Sequence, residues 1–309
     1  MTVVVLGGIN MDFIVESPVI AAPGETREGS RFTTTPGGKG ANQAVAAARI
    51  LEGRAPVEMA GLLGEDLYSQ EMRAYLEASG VGTTHLDVAP GVHCGVAVIL
   101  IDSTGENSVN AVYGSNLLVD QPVARAAAGA LPTSNGSANI LLVQHEVPLE
   151  ATAIAMRLAR DRGATVILDP APTRENDDQL LELATIVTPN QHEARDLTGI
   201  EVTDLASAEA AAKSLRQRGI DSAIVTLAEQ GVWLESATVS THVPAPRVTP
   251  VATVGAGDAF NGGLAAGIAL GLDLIEAARL GSATGALCVT RPGAQEAMPS
   301  RSEVEVLLA

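Results

Sequence analysis

Short apolar runs that break off into glycine or polar residues recur along this chain, and they constrain its fold more than any other feature. Val3–Leu6 runs into Gly7-Gly8, Asn139–Val143 into Gln144-His145-Glu146, Thr165–Leu168 into Asp169, and Ala184–Val187 into Thr188-Pro189-Asn190. A run without alternation fits a strand covered on both faces, which requires a parallel sheet with helices on either side. Helical stretches supply the cover: Val119 to Ala130, Ala151–Arg162, Leu205–Arg218, and two Ala-rich helices between Ala256 and Thr290. The reading is an α/β fold with a doubly wound, mostly parallel sheet flanked by helices. In such a sheet the carboxyl ends of the strands lie along one edge. Asn10 and Asp12, Glu146, Asp169, Asn190 and Glu193, and the turn Gly255–Asp258 all stand at or just past strand ends or helix starts, so they converge on one crevice.

Two regions do not fit the alternation. Phe13–Val15 and Arg31–Thr35 are β-prone pieces around the turn Ala22-Pro23-Gly24, and Cys94–Asp102 and Val109–Tyr113 flank the turn Ser103–Asn107. They predict a small stand-off sheet, formed by about 13–35 and 94–113. Such a flap has an apolar face exposed to water, so it should close over a ligand, pair with a second copy, or do both. Val57–Leu63, Ala223–Thr226 and Gly231–Glu235 read as further strands, Ser69–Ser79 and Ala44–Leu51 as helices, and a short helix follows Pro299. Pro132–Ser137 reads as a flexible connection. With no internal repeat or low-complexity linker, residues 1–309 are expected to form a single domain.

Charge and composition remove several function classes. A net charge of −17 and an aromatic content of 2% argue against nucleic-acid and anionic-membrane partners. Cys94 and Cys288 are too few and too far apart for a disulfide framework, and the five histidines form no metal-binding pair. No stretch reads as a membrane span or a signal peptide, so the expected location is the cytoplasm. An anionic ligand would need a local pocket rich in N–H groups.

Two glycine-rich stretches could provide one. Val254-Gly255-Ala256-Gly257-Asp258 precedes a helix, leaving bare N–H groups that attract an anion. The aspartate there is either a helix cap or a base removing a proton from a nucleophile that attacks a bound phosphoryl group. Pro36–Gln43 leads into another helix, and its glycines allow close backbone approach while Lys39 and Asn42 offer donors; a bare turn is the alternative. No Ser or Thr follows Lys39, so this is not a P-loop.

The segments Gly8-Ile9-Asn10-Met11-Asp12, Gly37-Gly38-Lys39-Gly40-Ala41-Asn42-Gln43-Ala44, Gln144–Glu150, Asp169-Pro170-Ala171-Pro172, Thr188-Pro189-Asn190-Gln191-His192-Glu193-Ala194 and Gly255–Asp258, in this order, resemble the ribokinase family of carbohydrate kinases. The resemblance runs from about Val3 to Pro299. It implies ATP-dependent transfer of a phosphoryl group to the 5-hydroxyl of D-ribose. Asp258 would be the base, with the N–H groups at Gly255, Ala256 and Gly257 forming the anion hole. Asn10, Asp12, Gly38, Lys39, Asn42 and Glu146 would hold the sugar. Asn190, Thr226, Ala228, Gly231, Gly257 and Ser282 would contact the nucleotide, and Glu193 would organise Mg²⁺ through water. The flap would be a lid that also builds a homodimer.

Three positions depart from the family pattern. Ala252 and Ala297 stand where an Asp and a Ser usually serve an activating potassium ion. Only the backbone near Val254, Cys288, Arg291 and Gly293 would remain for a monovalent cation, and weak or absent K⁺ activation is expected. Ala228 replaces a common Gly; if its φ is positive, the cost is about 1 kcal/mol and ATP binding weakens modestly. Other sugar or nucleoside kinases are the nearest alternatives. A non-catalytic sugar-binding regulator is disfavoured by the intact Gly255–Asp258.

Overall fold

The computed structural model describes residues 1–133, 139–174 and 178–309. Most of the expected Pro132–Ser137 connection lies outside the described residues. Strands β1 (Val3–Leu6), β2 (Asn10–Glu16), β3 (Arg31–Gly37), β4 (Val57–Gly64), β5 (Gly82–Ala89), β6 (Gly95–Ile101), β7 (Asn107–Val112), β8 (Ile140–Val143), β9 (Thr165–Leu168), β10 (Ile186–Val187), β11 (Ser222–Thr226), β12 (Val232–Ser236) and β13 (Ser240–Val243) form two sheets. The helices are α1 (Lys39–Leu51), α2 (Leu67–Ala78), α3 (Gln121–Gly129), α4 (Leu149–Asp161), α5 (Asp178–Leu181), α6 (Gln191–Thr198), α7 (Leu205–Gln217), α8 (Ala256–Ala269), α9 (Leu274–Cys288) and α10 (Arg301–Leu308).

The nine-stranded sheet runs β13-β12-β11-β10-β9-β8-β1-β4-β5. It is parallel from β5 to β11 and antiparallel through β12 and β13. Strand β1 shows why its apolar run is continuous. Val3 and Val5 enter a core shared with α1, α8 and α9, whereas Val4 and Leu6 enter a second core shared with α3, α4 and α7. Successive side chains point to opposite faces, so a strand covered on both sides must be apolar at every position. Burying each such Val or Leu stabilises the fold by about 1.5–3 kcal/mol.

Scarce aromatics are offset by close backbone approach. Helix α8 lies between α1 and α9, where a methyl at Gly262 would sit 2.7 Å from the Gln43 carbonyl and one at Gly267 2.8 Å from Ala277 Cα. Small residues at these crossings bring helix axes together and replace side-chain bulk with backbone packing.

The second sheet has the order β3-β2-β6-β7 and stands off the body as the expected lid. Phe13 anchors it edge-on to Tyr68 of α2, with ring centroids 5.2 Å apart. The lid differs from expectation at its root. Asn10 and Asp12 belong to lid strand β2 and are not the tail of β1, because Gly7-Gly8 ends β1 and turns the chain outward. Helix α1 begins at Lys39, five residues before the expected Ala44 start, so the glycine loop feeds directly into its first turn. Two edge strands, β5 and β13, are legible only in the structure. His85 and Asp87 interrupt the apolar signal of the first, and the second is short and polar. Among the described residues, no helix is long and apolar enough to cross a membrane.

Candidate active site

Two helix N-termini meet at the lid root. Gly38 begins α1 at φ +88°, with Gly8 O and Asn10 N lying 2.6 and 2.7 Å from where a Cβ would sit, so only glycine fits there. Gly255 begins α8 at φ +78° without a side-chain cap, and a Cβ at Gly257 would meet nothing within 4 Å. The N–H groups of this turn are therefore open to an anion, although that of Ala256 makes a long 3.4 Å bond to Thr253 O.

Asp258, 5% exposed, sits in that first turn of α8. Asn42 Nδ2 donates to its Oδ2 over 2.8 Å, and Gln43 Nε2 donates to its Oδ1 over 3.0 Å. Gln43 Nε2 also donates to Asp169 Oδ2 at 2.7 Å, while Gln43 Oε1 accepts from Gln144 Nε2 at 2.5 Å. Among the described residues, the buried acceptor Asn42 Oδ1 has no hydrogen-bond partner. A buried acceptor left open is costly unless a ligand fills it.

The residues expected around a polyol surround this point. Asn10 Oδ1 accepts from Asn116 Nδ2 at 2.8 Å, and Asn116 is itself clamped by the Ile9 backbone through 3.0 and 3.1 Å bonds. The Lys39 N–H donates to Glu146 Oε2 at 2.8 Å. Asp12 reaches the site from β2, paired in register with Thr35 of β3, whose hydroxyl donates to Glu296.

Burial and crowding of like charge set the electrostatics. Burial pushes the Asp12 carboxyl up to about 7, with Glu146, Glu296 and Asp258 adding to it. Burial also takes Glu146 up to about 7 against the opposing pull of Lys39, and Asp258 adds to the rise. Asp169 and Glu193 are raised too, first by burial. For Lys39, burial opposes the charge, yet the fields of Asp258, Asp169, Glu146 and Glu193 outweigh it and hold the ammonium well above its usual range. The lysine remains a fixed cation among buried carboxyl groups.

The expected nucleotide residues lie further along the sheet edge. Asn190 caps α6, its Oδ1 accepting from Glu193 N at 2.9 Å while its own N–H donates to Glu193 Oε2 at 2.8 Å. That reciprocal box engages one oxygen of Glu193. Asn190 also bridges to Thr226 at the end of β11. Ala228 does have the left-handed φ of +50° that would favour glycine. Gly231 has φ +96° and packs on Val243–Ala245, and the buried Ser282 Oγ has no hydrogen-bond partner among the described residues. Among the described residues, no hydrogen bond joins Thr226, Ala228, Gly231 or Ser282 to Asp258.

The loop around residues 291–298 closes the site from behind. A Cβ at Gly255 would stand 3.3 Å from Ala294 Cα, and Gln295 Nε2 donates to Gly37 O at 3.2 Å. Ala297 is fully buried, and Arg49 Nη1 donates to Met298 O at 2.5 Å. Val254 O lies 3.8 Å from the Cys288 thiol, which burial pushes up to about 12. Arg291 pairs with Glu303 at 2.5 Å.

Gln43, Gln144 and Asn116 are central here, yet the sequence did not single them out for a role. The signal available for the first two was adjacency to Asn42 and Glu146; Asn116 carried none.

Residues 1–301 match the family described as pfkB family carbohydrate kinase. The chain is 36% identical over 302 residues to ribokinase of Haemophilus influenzae, covering 98% of this chain and 96% of that one. It is 34% identical over 302 residues to deoxyribokinase of Salmonella typhi, covering 97% and 96%. Its structure resembles that of Arabidopsis thaliana ribokinase complexed with ribose and ATP, with a TM-score of 0.87, 28% identity, and 99% and 98% of the two chains covered. The chain belongs to the pfkB family of carbohydrate kinases.

Proposed function

We propose that this protein transfers the γ-phosphoryl group of ATP to the 5-hydroxyl of D-ribose, giving D-ribose 5-phosphate. The observation that carries the reading is Asn42. Its amide donates to the carboxylate of Asp258, while its buried Oδ1 waits for a hydroxyl donor at the same spot. In this reading Asp258 takes the proton of the 5-hydroxyl, and the N–H groups of Gly255, Ala256 and Gly257 hold the charge that develops on the transferred group. Asn10, Asp12, Gly38, Lys39, Asn42 and Glu146 hold the remaining hydroxyls, with carboxylates accepting from adjacent donors. A site built this way rejects analogues that leave one of its polar groups unpaired.

Asn190, Thr226, Ala228, Gly231, Gly257 and Ser282 form the nucleotide side. Glu193 keeps one oxygen clear of its cap, which suits a hydrated Mg²⁺ held through water. When bound, that ion neutralises phosphate charge. Ala252 and Ala297 offer no side-chain oxygen to a monovalent cation, and we infer that K⁺ activation is weak or absent. Initial rates titrated with K⁺ against a large inert cation test this, and a many-fold stimulation contradicts it. We infer a cytoplasmic, single-domain enzyme that pairs into a homodimer through the lid. Apolar lid residues exposed to water support the pairing, among them Phe32 at 63% and Val112 at 54%. Sedimentation at working concentration checks it.

The similarity to a deoxyribokinase makes 2-deoxyribose the second candidate acceptor. A coupled ATP assay over ribose, deoxyribose, fructose and adenosine separates the readings. Ribose should give the highest kcat/KM, and preference for any other acceptor contradicts the assignment.

A further inference from the structure

Gln43 is fully buried on α1, and its amide is engaged at both ends. Nε2 donates to Asp258 Oδ1 and to Asp169 Oδ2, at 3.0 and 2.7 Å, and Oε1 accepts from Gln144 Nε2 at 2.5 Å. An amide has two N–H donors, and here each serves a different carboxylate. Flipping the amide would set its oxygen against two carboxylate oxygens, so its orientation is fixed. Gln144, at the end of β8, fits because Gly7 lacks a side chain; a Cβ there would run into Gln144 Oε1. The neighbouring residue, Asn42, holds the other oxygen of Asp258. Consecutive residues of α1 thus pin both carboxylate oxygens, leaving a further lone pair on each to receive a proton.

We propose that Gln43 is a positioning residue for phosphoryl transfer, which fixes the carboxylate of Asp258 in its working orientation and ties it to a second carboxylate, Asp169. The inference rests on the reading of Asp258 as the base. Two amide donors, one on each oxygen, hold the Asp258 carboxylate in a single orientation. Other charges bear on it from every side: Lys39 on α1, Asp12 on β2, Glu146 after β8, Asp169 after β9 and Glu193 on α6, with the Cys288 thiol on α9. Removing the Gln43 donors leaves one Asp258 oxygen unheld, and the base loses its fixed rotamer.

The test uses Gln43→Met, which keeps length and removes both donors, and Gln144→Met, which leaves Gln43 in place but frees its amide. Measurements are kcat, ribose affinity by calorimetry without nucleotide, and melting temperature. Gln43→Met should lower kcat about 10- to 100-fold, the value of one hydrogen bond to a charged group. Ribose affinity should stay within about threefold, so the loss falls on kcat alone. Gln144→Met should show the same split with a smaller loss. Two results overturn the proposal: kcat within about threefold of the parent in both variants, or a loss of kcat matched by an equal loss of ribose affinity. If Gln43→Met fails to fold, Gln144→Met decides by the same criteria. Asp258→Asn separates the two readings. Full activity in that variant removes the base itself, whereas an inactive Asp258→Asn beside fully active Gln43→Met and Gln144→Met overturns only the role of Gln43.

Discussion

Asn42 Nδ2 donates to Asp258 Oδ2 over 2.8 Å, joining the first turns of α1 and α8 across 216 residues of sequence. In the proposed reading, the bond sets the sugar side of the site against the phosphoryl side. Gly262, one turn further along α8, lets α1 approach closely enough to make it.

Asn42→Ala removes a donor from Asp258 and, in the proposed reading, an acceptor from the sugar. Both kcat and kcat/KM for ribose should fall, kcat by about tenfold and kcat/KM by more. Steady-state kinetics check this, and a rise in KM with kcat unchanged would place Asn42 in sugar binding alone.

The pH dependence follows from Asp12 and Glu146, both raised to about 7. A carboxyl whose folded value lies above its unfolded one stabilises the fold below the unfolded value, and that stability is lost as pH rises through the folded value. Their contribution in the ligand-free enzyme therefore declines between about pH 4 and pH 7. Lys39, also raised, does not titrate in that window. Sugar hydroxyls favour the ionised carboxylates, so ribose affinity should rise over the upper part of the same range. Melting scans with and without ribose, compared with Asp12→Asn, should show a flatter pH response in the variant.

Ala228 has φ +50°, a conformation in which a Cβ is strained. Ala228→Gly should leave the fold unchanged, stabilise it by up to about 1 kcal/mol and modestly lower the KM for ATP. Gain of unfolded-state freedom offsets part of the effect, so the ATP KM is the cleaner readout.

Two glycines of α8 should respond in opposite ways. At Gly262 a methyl would stand 2.7 Å from the Gln43 carbonyl, so Gly262→Ala should cost about 1–3 kcal/mol and displace Gln43. At Gly257 a methyl meets nothing within 4 Å, so Gly257→Ala should keep the melting temperature while impeding approach to the α8 N–H groups and lowering kcat. Equal melting temperatures for the two variants would contradict this packing account.

Much of the fold was legible because burial on two faces leaves a mark on every residue of a strand, as in Val3–Leu6. Strands β5 and β13 bury less and left no such mark. The site was readable as motifs, yet Asn10 and Asp12 were assigned to the tail of β1 because Gly7-Gly8 does not disclose which way the chain turns. Gln43 shows the same limit more sharply. Its place beside Asn42 was visible, but the target of its amide depends on how α8 packs, which no local pattern encodes.

The central claim, that Asp258 accepts the proton of the 5-hydroxyl, is tested most directly by Asp258→Asn, with turnover and ribose binding measured on the same preparation. The account predicts that turnover falls by at least about 100-fold while ribose binding remains measurable. Turnover close to that of the parent enzyme would contradict it.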